Sequence, residues 1–325
     1  MRFSGKLSKG FVLSKPVKQE NYKESVIQEL EAQKRLIITR KRDGWKLFAA
    51  TDRAGKVRLY TDGMNEVDGR LTHLREALAS LALPPCTLLV GEVLADRGGD
   101  DELGGVQSVM SASLEKALAY QKANGHLRYM LFDVVYLNGL TVGSRFAERL
   151  AMLDELLAGR TESVFLVPVL TVSLAKAKQI VRSKGWEGLV LYDSGFVPVV
   201  RLDGKSPKRP RGCYKWKPIS EDDFIVCEKI FRPDGQVLRE LVLLQIDPQT
   251  GREFECGKLG SFTDAKRVEL AAAPVPFVVQ VGFEARYPKS GKIRNARFVR
   301  VRTDKKPADC LAPQSYGGAS HEAGD

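Results

Sequence analysis

Histidine is scarce in this chain: His73, His126 and His321 are the three among 325 residues, and no serine or cysteine stands in a recognisable nucleophile motif. That argues against a Ser-His-Asp hydrolase and against a histidine-rich metal enzyme. The five cysteines, Cys86, Cys213, Cys227, Cys256 and Cys310, form an odd set with no close pair. Neither a zinc site nor a disulfide framework is built that way, and a reducing compartment suits it. No apolar run approaches the length of a membrane span. Acidic residues are outnumbered, 40 against 51 Lys and Arg, leaving a formal charge of +11 and a pI near 9.4. A polyanionic partner, nucleic acid above all, is the expectation from that balance.

A hydrophobic content of 43% and a charged content of 28% over 325 residues fit a soluble chain with two sizeable cores. The first nineteen residues carry Lys and Arg but no acid, as organellar presequences do, yet they lack an amphipathic arginine face. A basic arm touching phosphates is expected instead. Residues 20–34 read as a short helix with Val26, Leu30 and Ala32 on its apolar face. The apolar runs Leu36-Ile37-Ile38 and Leu47-Phe48-Ala49-Ala50 flank Asp43-Gly44, which predicts a hairpin with Lys41 at its mouth. Leu71, Leu74, Leu78 and Leu81 predict a helix over 68–82, and further helices are expected over 108–122, 145–158 and 173–184. Arg97 to Gly105 reads as a Gly-rich acidic loop, and 201–212 as a basic one. After Pro218 the chain turns to alternating strands with one helix near 263–272, the pattern of a small five-stranded barrel. The expected division is 1–219, 220–310 and a disordered tail, 311–325.

Several strand ends carry charge where an apolar residue would pack better: Glu92, Asp133 beside Phe132, Glu187, and Lys215 with Lys217. Each alone has an ordinary explanation, a carboxylate or ammonium at a solvated strand end. Gathered at one cleft near Lys41 they would serve nucleotidyl transfer. Cations neutralise phosphates, carboxylates hold a divalent metal and a ribose hydroxyl, and an aromatic face stacks on a base. Cations and a metal beside Lys41 would favour its neutral amine as a nucleophile toward phosphorus.

The ordered series Lys41-Arg42-Asp43-Gly44-Trp45-Lys46, Glu92, Leu131 to Gly139, Glu187-Gly188-Leu189-Val190, Lys215-Trp216-Lys217 and Arg297 to Lys305 resembles the ATP-dependent DNA ligases, members of the covalent nucleotidyltransferase superfamily. The resemblance implies an α+β chain: a nucleotidyltransferase (adenylation) domain of antiparallel sheets with flanking helices, then an OB-fold β-barrel. It implies a small form without a large N-terminal DNA-binding domain, acting as a monomer. Lys41 would carry AMP as a phosphoramidate. Thr39 would lie by the adenine edge, Lys46 by sugar and phosphate, Glu92 at the ribose, and Phe132 on the adenine face. Glu187, with Glu92, would bind Mg2+ or Mn2+, and Lys215 and Lys217 would contact the α-phosphate. Arg302, Asp304 and Lys305 would orient pyrophosphate in the first step. The substrates implied are ATP and nicked duplex DNA, in replication, repair or recombination, and no membrane is involved. The cytoplasm or nucleoid of a bacterial or virus-infected cell is the implied location, the acid-free start leaving an organellar address open. An RNA ligase, an RNA-capping guanylyltransferase and a non-catalytic nucleic-acid-binding relative share the early motifs. Dependence on NAD is not expected, because a cysteine-rich zinc element is missing.

Three positions depart from the family pattern. Lys46 stands in place of an arginine, a point charge in place of a fork. Asp62 falls where an arginine usually touches the 5′-phosphate of the nick. Val90 replaces an aspartate before Gly91-Glu92.

Overall fold

The two apolar runs flanking Asp43-Gly44 become strands, Leu36–Lys41 and Trp45–Thr51, but they do not pair with each other. Each joins a different sheet, so the expected hairpin is instead a crossing between sheets. The backbone gives the reason: neither Asp43 nor Gly44 takes the positive φ that a two-residue hairpin turn requires. This computed structural model describes residues 2–97, 100–101, 103–158, 161–287 and 290–316. Contacts divide the chain into two units, Met1–Lys217 and Pro218–Asp325.

In the first unit, Trp45–Thr51 lies between Val57–Thr61 and Leu88–Leu94, and the sheet continues through Arg128–Leu137 to Val164–Leu166. The last pair is parallel and the others are antiparallel. A smaller antiparallel sheet runs Cys213–Trp216, Gly188–Asp193, Leu36–Lys41. The large sheet is covered on one face by helices. Leu71, Leu74 and Leu78 are fully buried there beside Leu47 and Leu59, with Thr72–Ser80 supplying the helical part of the predicted stretch. On the small sheet, Glu24–Ala32 and Leu174–Lys184 bury Ile27, Leu30 and Val181 against Ile38, Leu189 and Trp216. Ile27 and the expected Leu30 face inward on the first of these helices, whereas Val26 and Ala32 are exposed. The expected helix over 108–122 is two helices, Leu103–Met110 and Leu114–Asn124. Ser113 starts the second by accepting from the Lys116 amide. The acidic loop expected over 97–105 is shorter than expected, since that first helix begins at Leu103; residues 98, 99 and 102 of it lie outside the described residues.

The basic N-terminal segment is built into this unit. Leu7, Phe11 and Leu13 pack on Phe48, Val90 and Tyr136. Val12–Leu13 pairs with Val200–Arg201, which reaches the first residue of the stretch expected to be a basic loop.

In the second unit, five antiparallel strands run in the order Glu253–Leu259, Leu238–Ile246, Ser220–Phe231, Phe277–Phe283, Arg297–Val301. One helix, Asp264–Ala272, lies between the third and fourth strands of the chain order, with Thr263 as its cap. Phe224, Leu241, Leu243, Leu259 and Val279 fill the interior. Residues 311–316, expected to be tail, are held: the Ala312 amide donates to Ile246 O, and Ser315 and the Tyr316 amide donate to Asp247. The remaining part of that segment, 317–325, lies outside the described residues.

Candidate active site

The crossing at Asp43-Gly44 places Lys41 between the two sheets. Gly44 permits the crossing: a Cβ there would overlap the Val93 carbonyl oxygen and stand 2.7 Å from Glu92 Cγ. In the small sheet Lys41 is opposite Gly188, and Thr39, Val190 and Lys215 form one row across the three strands. In the large sheet Lys46, Glu92 and Met130 form a second row. The two rows line a cleft of about 320 Å³ that also contains Lys41, Phe132 and Asp62.

Phe132 reaches this cleft through an irregularity. The pairing of Leu88–Leu94 with Arg128–Leu137 steps from Val90 opposite Asp133 to Gly91 opposite Leu131, leaving Phe132 as the extra residue of a bulge. Bulges of this kind re-aim a side chain. The next residue fixes the bulge. Asp133 receives Arg149 Nε at 2.6 Å and Nη2 at 3.1 Å, and Arg149 also donates to the carbonyls of Ser144 and Phe196. Arg149 is fully buried. Burial pushes the Asp133 carboxyl up, and Arg149 pulls it back. Asp133 was legible as an acid in a strand, whereas its partner, inside an ordinary leucine-rich helix, was not.

Glu187 leads into Gly188, whose lack of a side chain lets it lie against the Trp216 carbonyl. Its carboxylate accepts from Lys41 Nζ at 2.7 Å on one oxygen and pairs with Lys217 Nζ at 3.0 Å on the other. Only 11% of the Glu187 side chain is exposed, so these pairs are shielded from water and salt. Glu92 lines the cleft itself. Burial raises its pKa to about 7, with Lys41 opposing and Glu187 adding to the rise. Thr39 is buried, its hydroxyl donating to Val190 O at 3.3 Å.

Lys46 and Asp62, two of the three departures, are partners: Lys46 Nζ lies 3.0 Å from Asp62 Oδ1, and Lys15 Nζ lies 2.9 Å from Oδ2. Lys15 was missed as a cleft residue, because nothing in its own neighbourhood of the chain marks it. The remaining expected residues lie in the second unit. There Arg302 donates to both Asp223 oxygens at 2.9 and 2.8 Å and to both Asp304 oxygens at 2.8 and 2.7 Å, and Lys305 follows.

Glu92 and Glu187 are hard oxygen donors, and no group of three or more His, Cys, Asp or Glu among the described residues could hold a metal by itself. A Mg2+- or Mn2+-type ion fits such a pair when phosphate oxygens of a nucleotide complete its shell. All five cysteines are free thiols, and no helix among the described residues is long and apolar enough to cross a membrane.

The family described as ATP dependent DNA ligase domain matches residues 13–197, more than half of the chain. DNA ligase B of Mycobacterium tuberculosis (strain ATCC 25618 / H37Rv) is 29% identical over 283 residues, 78% of this chain and 54% of that protein. DNA ligase 2 of Methanosarcina mazei is 24% identical over 95% of this chain and 59% of that protein. The chain thus spans about half the length of the curated relatives it matches. A solved structure described as "DNA binding with a minimal scaffold: Structure-function analysis of Lig E DNA ligases" is similar with a TM-score of 0.59 and 23% identity, over 82% of this chain and 93% of that one. The fold is therefore the expected one: a nucleotidyltransferase unit of mainly antiparallel sheets with flanking helices, followed by an OB-fold unit.

Proposed function

The chain belongs to the ATP-dependent DNA ligase domain family, and from that premise we propose that it seals 5′-phosphate/3′-hydroxyl nicks in duplex DNA through AMP carried on Lys41. The observation that carries this reading is the Lys41–Glu187–Lys217 chain, 2.7 and 3.0 Å long in its two links, which begins at Lys41 in the lining of a nucleotide-sized cleft.

In the first step the Lys41 amine attacks the α-phosphorus of ATP. The N–P bond forms, the bond from the α-phosphorus to the bridging oxygen breaks, and pyrophosphate leaves. The amine must lose a proton, and Glu187, already accepting a hydrogen bond from it, is placed to take that proton. Glu187 then shares less charge with Lys41, while Lys217 and Lys215 remain to balance the α-phosphate. Phe132 offers its ring to adenine from the bulge, Thr39 bounds the base edge, and Glu92 accepts the ribose hydroxyls. A divalent ion held by Glu187 and Glu92 with phosphate oxygens would neutralise charge on the leaving group. Arg302, Asp304 and Lys305 of the second unit act on pyrophosphate in this step alone.

AMP then passes from Lys41 to the 5′-phosphate of the nick, and the 3′-hydroxyl displaces it. The surplus of +11 supports a sequence-tolerant grip on DNA phosphates, and the working form is a monomer. Incubation with α-labelled ATP and Mg2+ tests the reading: a denaturation-stable AMP adduct that is discharged by nicked, 5′-phosphorylated DNA supports it. Absence of any adduct overturns it.

A further inference from the structure

Lys15 and Lys46 meet on one carboxylate at the edge of the cleft. Asp62 offers Oδ1 to Lys46 at 3.0 Å and Oδ2 to Lys15 at 2.9 Å, so the two ammonium groups are held side by side. All three residues line the same cleft as Lys41. They grade from its interior outward, with Lys46 24% exposed, Asp62 40% and Lys15 56%. Lys46 is further seated over the Phe48 ring at 4.8 Å. Lys15 is held in place by its backbone. The Ser14 amide donates to Val199 O, Arg209 donates to Pro16 O at 2.7 Å, and the Val17 amide donates to Cys213 O. Burial alone would raise the Asp62 carboxyl, but Lys46 and Lys15 lower it below the ordinary value.

We propose that Lys15, Asp62 and Lys46 form a composite phosphate site, in which the carboxylate sets two point charges apart as a forked arginine would set its nitrogens. The trio has the net charge of one guanidinium and two ammonium groups joined to one carboxylate in the cleft lining, as recognition of a phosphate on two oxygens requires. An acid in a phosphate cleft, repulsive when taken alone, becomes the element that orders its neighbours. The inference rests on the ligase reading only for the source of the phosphate, either the nucleotide or the 5′ end of a nick.

Binding of inorganic tripolyphosphate to the intact protein, followed by calorimetry, tests the site without turnover. Lys15→Ala is expected to weaken it about ten-fold, and Lys15→Arg to stay within about three-fold of the parent. Asp62→Asn decides the role of the acid. A merely repulsive carboxylate predicts tighter binding on its removal, whereas an ordering one predicts binding several-fold weaker despite the added positive charge. An unchanged Lys15→Ala protein, or a tighter Asp62→Asn protein, overturns the site.

Two kinetic arms then assign the source in Lys15→Ala. A raised ATP requirement for AMP-adduct formation assigns it to the nucleotide. Slower transfer from the preformed adduct to a 5′-phosphorylated nick assigns it to the DNA end. No change in either arm overturns the proposal. A parent protein that forms no adduct overturns the ligase reading instead, and leaves the tripolyphosphate result to judge the site.

Discussion

Lys41 Nζ donates to Glu187 Oε2 across 2.7 Å, although 146 residues separate the two in the chain. The contact exists because Lys41 and Gly188 are register partners on neighbouring strands. One carboxylate thereby serves both the attacking amine and, through its second oxygen, Lys217.

Lys41→Arg preserves a cation next to Glu187 but removes the nucleophilic amine. The protein is expected to stay folded, with an unchanged melting temperature, and to form no AMP adduct with α-labelled ATP. Lys41→Ala is likewise expected to form none. An adduct persisting in either variant refutes Lys41 as the carrier.

Glu187→Gln keeps the shape and removes the proton acceptor. Adduct formation is expected to slow by roughly 10²–10³, the range for a lost general base, with a much smaller change in thermal stability. Single-turnover labelling measures the rate. A slowing under three-fold would show that the proton leaves by another route.

Glu92 gives a pH-dependent stability. Burial raises its pKa to about 7 from an ordinary 4.5, so between these values the folded protein binds more protons than the unfolded one. Stability contributed by the protonated carboxyl is present below about 4.5 and is lost as pH rises through about 7. Glu92→Gln is therefore expected to match the parent near pH 4 and to exceed it at pH 8 by up to about 3 kcal/mol. Urea titrations at both pH values read this out, and equal effects at the two would contradict it. The same variant is expected to require more ATP, since a carboxamide accepts ribose hydroxyls less strongly.

Arg149→Leu leaves Asp133 buried without its ionic partner. Removing one member of a buried pair costs about 3–5 kcal/mol, so the urea midpoint should fall sharply. In Asp133→Asn the guanidinium keeps its bonds to Ser144 and Phe196 carbonyls, and a smaller loss is expected. Because Phe132 sits in the bulge beside this pair, either variant should also weaken nucleotide binding.

Gly44→Ala probes the crossing between sheets. Its Cβ would overlap Val93 O and crowd Glu92, so the turn must shift. A loss of about 1–3 kcal/mol is expected, with adduct formation slowed at least ten-fold. Normal adduct rates would show that the turn adjusts without moving Lys41.

Much of the architecture is legible in local chemistry. Leu71, Leu74 and Leu78 recur at helical spacing, so one face had to be buried. Ser173 and Thr263 cap the helices that follow them. Motif order alone singled out Lys41, Glu92, Phe132 and Lys215, which line one cleft, and Glu187 and Lys217, which are joined to Lys41 by ion pairs. Asp43-Gly44 shows where local reading ends. It has hairpin chemistry, but strand partners are chosen by long-range packing, and Gly188–Asp193 and Leu88–Leu94 take the two flanking strands apart.

The charge pattern likewise needed tertiary structure. Lys46 and Asp62 each departed from the expected residue, and as isolated positions they read as two weaknesses. Strand register and the pinned segment around Lys15 bring them within 3.0 Å, where each supplies the counter-charge of the other. An ammonium or carboxylate in a sequence has a sign but no neighbours. Only the folded chain decides whether that sign repels a phosphate or arranges the groups that receive it.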